Sequence, residues 1–173
     1  MAGGKIHDEN PFVLPPEERE PVRRLRGRLV APVTIVTAGG ADQRAGLTVS
    51  SLMAAEGEPS HVFFLVGTDT EFYDAMERTE RFVVHVLGAD DRELADVFAG
   101  LRPSPGGPFA GLDLVDGDYG PELARFGTKA YCAFEGGTAE AYHLLARGAI
   151  ERIDVDDLTD PLSYFRGAYR RLE

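Results

Sequence analysis

Short runs of β-branched and apolar residues, separated by turn residues, dominate the first half of the chain. These runs cover residues 32–37, 45–51, 61–66 and 81–87. The first two flank Ala38-Gly39-Gly40-Ala41-Asp42, whose composition is typical of a turn, so a hairpin is expected there. Strands joined by short turns, with few helices between them, favour an antiparallel barrel with peripheral helices. The predicted fold class is therefore mainly β.

Two segments between the strands show helical spacing instead. Residues 71–81 have helix-forming composition and place Phe72 and Met76 on one face. Residues 90–99 carry a similar apolar stripe, and Asp90 is the expected N-cap. Each helix would cover part of the barrel with its apolar face.

The second half of the chain begins with a break. Residues 101–108 are rich in proline and glycine and predict a loop, long enough for a mobile lid or a flap that faces a partner. Further strands are expected at 128–134 and around 139–153. The aromatic tail 164–169 is expected to dock on the body or on a second subunit.

The chain divides into a predicted flexible N-terminal arm, residues 1–20, and one domain, residues 21–173. Prolines and acidic residues in the arm oppose regular structure. The domain begins with a basic, helical patch that contains Arg23, Arg24, Arg26 and Arg28. We interpret this patch as a solvated helix face, with a phosphate contact as the alternative.

Charge and cysteine content narrow the classes of function. The formal net charge of −11 argues against nucleic acid and anionic membranes as partners. No window approaches 18 apolar residues, so no membrane span is expected. The only cysteine, Cys132, lies in an apolar run, where a buried packing role is expected, and an internal disulfide is impossible. We therefore expect a cytoplasmic protein.

The second strand is unusually rich in hydroxyl groups for an apolar segment. Thr48, Ser50 and Ser51 lie within it, close to Gly46. Buried hydroxyls need hydrogen-bond partners, since an unpaired one costs about 1–3 kcal/mol. A polar ligand would supply such partners, and the glycine would let it approach the backbone.

Familiar catalytic constellations are missing from the sequence. The four histidines, His7, His61, His85 and His143, do not lie at metal-ligand spacing, so no metal site is predicted. His61 and His85 are interpreted as structural. There is no Gly-x-Ser-x-Gly elbow, no dinucleotide-binding glycine pattern and no P-loop.

The order of four segments resembles the flavin reductase-like family. These segments are Pro-Val-Thr-Ile-Val-Thr (32–37), Gly-Leu-Thr-Val-Ser-Ser (46–51), Phe-Val-Val-His-Val-Leu (82–87) and Leu-Ala-Asp-Val-Phe-Ala (94–99). The family typically reads Phe-Val-Val-Asn-Val-Leu in the third segment, so His85 stands where asparagine is usual. The resemblance covers about residues 28–170.

This resemblance implies an FMN-binding split barrel, with a Greek-key-like antiparallel barrel and a few peripheral helices. It implies a homodimer with flavin near the subunit interface. The implied activity is reduction of FMN or FAD by NADH or NADPH, which supplies a partner monooxygenase. Catalysis would rest on bringing two rings together, since the cofactor carries the hydride chemistry.

Site residues follow from the same resemblance, position by position. His143 is the implied catalytic residue: it falls near the nicotinamide site, where many members read Gly-Asp-His and this chain reads Ala-Tyr-His. The implied cofactor-binding residues are Pro32, Val33, Thr34, Thr48, Val49, Ser50, Ser51, Thr68 and Thr70.

The loop expected to hold the flavin phosphate departs from the family. Thr68 and Thr70 can donate hydrogen bonds, but Asp69 and Glu71 would repel a phosphate and no basic residue stands there. Flavin could then bind weakly as a substrate, with Arg23–Arg28 or Arg78 compensating. Two alternatives stay open: a non-catalytic flavin- or ligand-binding split barrel, and a split-barrel oxidoreductase that uses another cofactor or substrate.

Overall fold

The structure is a computed structural model that describes residues 21–172. The predicted arm, residues 1–20, lies outside the described residues. The helices are α1 (Pro21–Arg26), α2 (Glu71–Thr79) and α3 (Arg92–Phe98), the last preceded by a 3-10 turn at Ala89–Asp91. The strands are β1 (Ala31–Pro32), β2 (Thr34–Ala38), β3 (Ala45–Val49), β4 (Met53–Ala55), β5 (His61–Val66), β6 (Arg81–Val86), β7 (Leu114–Gly117), β8 (Gly120–Leu123), β9 (Lys129–Glu140), β10 (His143–Asp154), β11 (Ser163–Phe165) and β12 (Ala168–Arg170).

Seven of these strands form one antiparallel sheet in the order β3-β2-β6-β9-β10-β5-β4. The chain passes from β3, at one edge, to β4, at the other edge, through residues 50–52 alone. The two edges must therefore lie side by side, which curls the sheet into a barrel. The Leu65 amide on β5 donates to the Ser51 hydroxyl across this seam, with N and Oγ 2.9 Å apart.

Two apolar cores lie on either side of the barrel wall. The interior core contains Phe64 and Phe82, and α2 closes it with Phe72 and Met76. The second core lies outside the wall, where α3, the loop after it and the C-terminal hairpin pack against β2. Because both faces of β2 are covered, all five of its residues are buried, as is usual for a strand packed on both sides.

The structure corrects three local predictions. Strand β3 ends at Val49, so Ser50 and Ser51 follow it. Asp90 is not the N-cap of α3, because residues 89–91 form a 3-10 turn and the Asp91 carboxylate accepts the Gly88 amide at 2.9 Å. Residues 135–138, which separate the strands expected at 128–134 and around 139–153, are themselves strand, because β9 continues to Glu140. Five short strands, β4, β7, β8, β11 and β12, lie where no strand was predicted.

The loop after α3 and the chain's tail are both anchored to the second core. No helix or strand is assigned between α3 and β7, as predicted for the loop, but the Phe109 ring packs edge-on against Phe98 at 5.0 Å. The tail forms the β11–β12 hairpin, and the Tyr169 hydroxyl donates to the Asp96 carboxylate at 2.9 Å. The predicted docking of the aromatic tail on the body is confirmed. No helix in the described part of the chain is long and apolar enough to span a membrane.

Candidate functional site

Strand register brings several of the predicted site residues to the same end of the barrel seam. Thr34 pairs with Val49, so Pro32 lies across from the residues that follow β3. Ser51 is bonded to Leu65, near the end of β5, and Thr68 follows that end. Leu144 pairs with Val66, which sets the preceding His143 beside the same loop. We call Pro32, Ser50, Ser51, Thr68 and His143 the strand-end cluster; all five residues are exposed.

The three hydroxyls of the Gly-Leu-Thr-Val-Ser-Ser segment have different partners. The Thr48 hydroxyl donates to the Ala95 carbonyl of α3 at 2.7 Å, so protein satisfies it rather than ligand. Ser51 is engaged with the backbone of Leu65 at the seam. Ser50 is exposed, and its hydroxyl has no partner among the described residues. The expectation of three buried hydroxyls is therefore wrong, and Ser50 alone offers a free one.

Gly46 has a packing role that differs from the predicted one. A Cβ built on Gly46 would lie 2.5 Å from the Phe98 ring and 3.2 Å from the Phe109 ring. The space beside this glycine is thus filled by the second core and is not open to a ligand. The glycine lets α3 and its following loop approach β3 closely.

Several other predicted cofactor-binding residues have buried or engaged side chains. Val33 is 2% exposed and packs in the second core, and Val49 packs in the first. The Thr34 hydroxyl donates to the Val49 carbonyl at 2.9 Å. Val33, Thr34 and Val49 would therefore contact a ligand through their backbone groups. Their role in cofactor binding stays a prediction.

The two threonines of the loop between β5 and α2 have different environments. The Thr70 hydroxyl accepts the Tyr73 amide and donates to the Gly67 carbonyl, so it serves as the N-cap of α2. Thr68 is exposed and keeps its hydroxyl available. Asp69 and Glu71 flank this N-cap and are also exposed, so the loop presents negative charge to solvent.

His143 opens β10 at the tip of the long β9–β10 hairpin. The turn is made by Ala141, in the left-handed region at φ 52°, and by Tyr142, which is 95% exposed. His143 pairs with Glu140 in the ladder, and its side chain is exposed. An exposed imidazole beside the loop of Thr68 can reach a ligand held by the strand-end cluster.

His85 and His61 have the structural roles predicted for them. His85 is fully buried: its Nδ1 lies 3.1 Å from the Ile35 carbonyl, and its Nε2 accepts the Leu123 amide at 3.1 Å. Burial lowers the pKa of His85 to about 4, so the ring is neutral at physiological pH. His61 lies 3.1 Å from Glu135, which also pairs with Arg147. Within residues 21–172, no group of three or more His, Cys, Asp or Glu side chains could hold a metal ion.

Sequence reasoning missed the apolar surface next to the strand-end cluster. Met53 on β4 and Leu65 on β5 point outward and are 53% and 40% exposed. The sequence did contain a signal for this surface. Side chains alternate between the two faces of a strand, and because Val62, Phe64 and Val66 of β5 are buried, Leu65 must face outward. Leu65 also supplies the amide that Ser51 accepts.

A wide surface depression of about 500 Å³ lies elsewhere, lined by residues 57–60 and 150–153. The depression adjoins the start of β5, whereas the strand-end cluster adjoins the end of β5. The two ends of this six-residue strand are about 20 Å apart. Glu58, Glu151 and Arg152 give it a mixed polar lining without an exposed hydroxyl cluster. Size alone therefore does not make it the better candidate site.

The strand-end cluster fits the ring of a flavin better than its phosphate. Exposed hydroxyls at Ser50 and Thr68 can meet the polar edge of the ring, and Met53, Leu65 and Tyr142 offer apolar surface nearby. The phosphate end is different, because no Lys or Arg occurs between Arg44 and Arg78. The loop after β5, where the resemblance leads one to expect a basic residue for the phosphate, therefore contains no Lys or Arg.

The fold is a seven-stranded antiparallel barrel with exposed hydroxyls at its seam. The model of the flavin reductase like domain matches residues 26–173. The chain therefore belongs to the flavin reductase-like family, and both the predicted family and the predicted fold class are confirmed.

Relatives with assigned activities agree with this membership. The NADH-dependent FMN reductase AsuE2 of Streptomyces nodosus subsp. asukaensis is 30% identical over 161 residues, which cover 90% of this chain and 85% of that protein. The reductase component of 4-hydroxyphenylacetate 3-monooxygenase from Thermus thermophilus is 25% identical, covering 89% and 97%. Among solved structures, the NADH:FAD oxidoreductase SgcE6 of Streptomyces globisporus superposes with a TM-score of 0.80 at 25% identity, covering 92% and 96%.

Proposed function

We propose that this protein is an NADH-dependent flavin reductase that supplies reduced FMN or FAD to a partner monooxygenase. Family membership over residues 26–173 carries the proposal. It is supported by relatives described as NADH-dependent FMN or FAD reductases and as reductase components of monooxygenases. The strand-end cluster is the proposed site, because it joins exposed hydroxyls, apolar surface and one exposed histidine.

The residues of the cluster would act by binding and orientation. A bound flavin supplies the ring that accepts a hydride from the nicotinamide. The Ser50 and Thr68 hydroxyls would donate hydrogen bonds to that ring, and Met53 and Leu65 would exclude water from one side of it. His143 would contact the nicotinamide and hold it at reacting distance. Orientation of this kind accounts for a site without a buried acid or base.

A homodimer is part of the proposal. Met53, Leu65 and Tyr142 form exposed apolar surface next to the cluster, and a second subunit would cover it. A ligand bound there would then lie at the subunit interface. A cytoplasmic location is likewise proposed, supported by a single cysteine that cannot form a disulfide within the chain.

The direct test is an anaerobic flavin titration followed by addition of NADH or NADPH, read at the visible absorbance of the flavin. We expect bleaching far faster than in a protein-free control, with NADH as the better donor. Binding without bleaching would contradict the enzymatic proposal and favour a ligand-binding protein. Absence of any flavin binding would contradict the site as well.

Changing His143→Ala should slow hydride transfer while sparing flavin affinity. We expect the rate of flavin reduction in stopped flow to fall by about 10-fold or more, since a poorly oriented nicotinamide loses part of the proximity effect. The dissociation constant for FMN should change by less than about twofold. Changing Glu140→Ala, at the exposed position that pairs with His143 in the β9–β10 ladder, serves as the neighbouring control for hairpin integrity. Normal turnover of the His143→Ala variant would remove this histidine from the mechanism.

A further inference from the structure

The first ten described residues form a strongly basic and exposed segment. Residues 21–30, which we call the arginine segment, contain four arginines and no acidic residue. All but Gly27 are exposed, and helix α1 within the segment buries no side chain. In a chain of net charge −11, this concentration of positive charge is an exception.

These arginines have no carboxylate partner within the described residues. Elsewhere, arginines pair directly with acids: Arg44 lies 2.6 Å from Asp116, and Arg147 lies 2.8 Å from Glu135. The arginine segment makes no such ion pair with residues 21–172. Because no carboxylate of residues 21–172 holds them, we take its guanidinium groups as able to bind an anionic ligand.

The strand-end cluster, in contrast, lacks a cation of its own. The loop from Gly67 to Glu71 carries Asp69 and Glu71, and the nearest Lys or Arg in the sequence are Arg44 and Arg78. Arg78 lies in the last turn of α2, about 12 Å from the N-cap at 1.5 Å per residue. The only charged side chains that a ligand phosphate would meet in this loop are the negative ones of Asp69 and Glu71, and Thr68 alone keeps a hydroxyl available to it.

The chain path leads from the arginine segment directly into the cluster. Arg28 is four residues before Pro32, so their Cα atoms lie at most about 14 Å apart. The Gly27 carbonyl accepts the Arg166 amide at 3.1 Å, which ties this part of the chain to the C-terminal hairpin. An arginine side chain adds several ångströms of reach from such an anchored position.

We propose that the arginine segment, and not the loop between β5 and α2, binds the phosphate of the flavin. The inference rests on the proposed function, because it takes flavin as the ligand of the strand-end cluster. Guanidinium groups bind phosphate oxygens through paired, charge-assisted hydrogen bonds. The same segment would act whether it reaches the site of its own chain or, in the proposed dimer, that of the partner.

The test compares FMN with riboflavin, which has the same ring and no phosphate. Both are titrated by fluorescence against the wild type and a variant with Arg23→Gln, Arg24→Gln, Arg26→Gln and Arg28→Gln. A matched control loses the same charge at exposed arginines elsewhere, through Arg81→Gln, Arg92→Gln, Arg102→Gln and Arg170→Gln. Each titration is repeated at low and at high salt.

We expect the segment variant to bind FMN about 10- to 100-fold more weakly and riboflavin with unchanged affinity, which is the loss expected for charge-assisted hydrogen bonds. The salt dependence of FMN binding should disappear in this variant and persist in the control. Equal weakening of both ligands, or of FMN in the control variant, would overturn the proposal. If the wild type binds neither flavin, the proposed function fails; if it binds both equally, only this inference fails.

Discussion

A Ser50→Leu variant is expected to lose flavin binding while keeping its fold. Ser50 is exposed just after β3, and its hydroxyl makes no hydrogen bond to a described residue. Leucine would place a branched side chain where the flavin ring is proposed to lie, and would remove the free hydroxyl. We expect the dissociation constant for FMN to rise by about 100-fold or more, equivalent to about 2.7 kcal/mol. Fluorescence titration measures this directly.

Two controls separate this effect from damage to the barrel. Ser50→Ala removes only the hydroxyl and should weaken binding by about 10-fold or less, the cost of one hydrogen bond. Both variants should unfold at the same temperature as the wild type within a few degrees, because Ser50 is exposed and its hydroxyl makes no hydrogen bond to a described residue. Unchanged FMN affinity in folded Ser50→Leu protein would show that the site lies elsewhere.

A His85→Leu variant is expected to lose much of the stability of the fold. The ring joins β6 to two neighbours, since it meets the Ile35 carbonyl of β2 and the Leu123 amide of β8. Leucine would leave the buried Leu123 amide unpaired, at about 1–3 kcal/mol, and would remove the contact between the ring and the Ile35 carbonyl. We expect the free energy of unfolding to drop by about 2–5 kcal/mol in urea titrations. His85→Asn, which keeps a donor and an acceptor, should lose clearly less.

The same histidine should make stability depend on pH between about 6.5 and 4. Burial lowers the pKa of His85 to about 4 in the folded chain, against an ordinary value of 6.5. In this window the unfolded chain binds a proton that the folded chain does not, so stability falls as the pH falls. Between pH 8 and pH 5 the loss from this group should be about 2 kcal/mol.

The His85→Asn variant isolates that contribution. Carboxylates with lowered pKa, such as Asp116 and Glu122, also lose stabilising interactions in acid, but they are common to both proteins. The difference between wild type and variant in urea midpoints at pH 8 and pH 5 therefore reports His85. A difference that does not change with pH would show that the ring takes up a proton without cost.

Much of the architecture was predictable because it depends on local pattern. The β-branched runs at 32–37, 61–66 and 81–87 form strands in the structure. Helix α2 begins at Glu71, directly after Thr70, which caps it. Fold class and family followed from the order of these segments. Local pattern also predicted that Cys132 is buried, as the structure shows.

The site was less predictable because its properties depend on distant partners. Nothing near Thr48 in sequence shows that its hydroxyl meets the Ala95 carbonyl of α3. Gly46 looks like a point of ligand approach until Phe98 and Phe109 fill the space beside it. Likewise, the bond between Ser51 and Leu65 exists only because the barrel closes, which no spacing along the chain reveals.

The burial of Cys132 bears on how long such a protein would remain active. Reduced flavin reacts with oxygen, and the peroxide formed attacks thiolates in preference to thiols. Burial raises the pKa of the Cys132 thiol to about 12 and removes it from contact with solvent. Since the chain has no other cysteine, it carries no thiol that its own by-products would readily oxidise. Inactivation during prolonged turnover should therefore proceed through methionine, and the exposed Met53 beside the proposed flavin site is the first candidate.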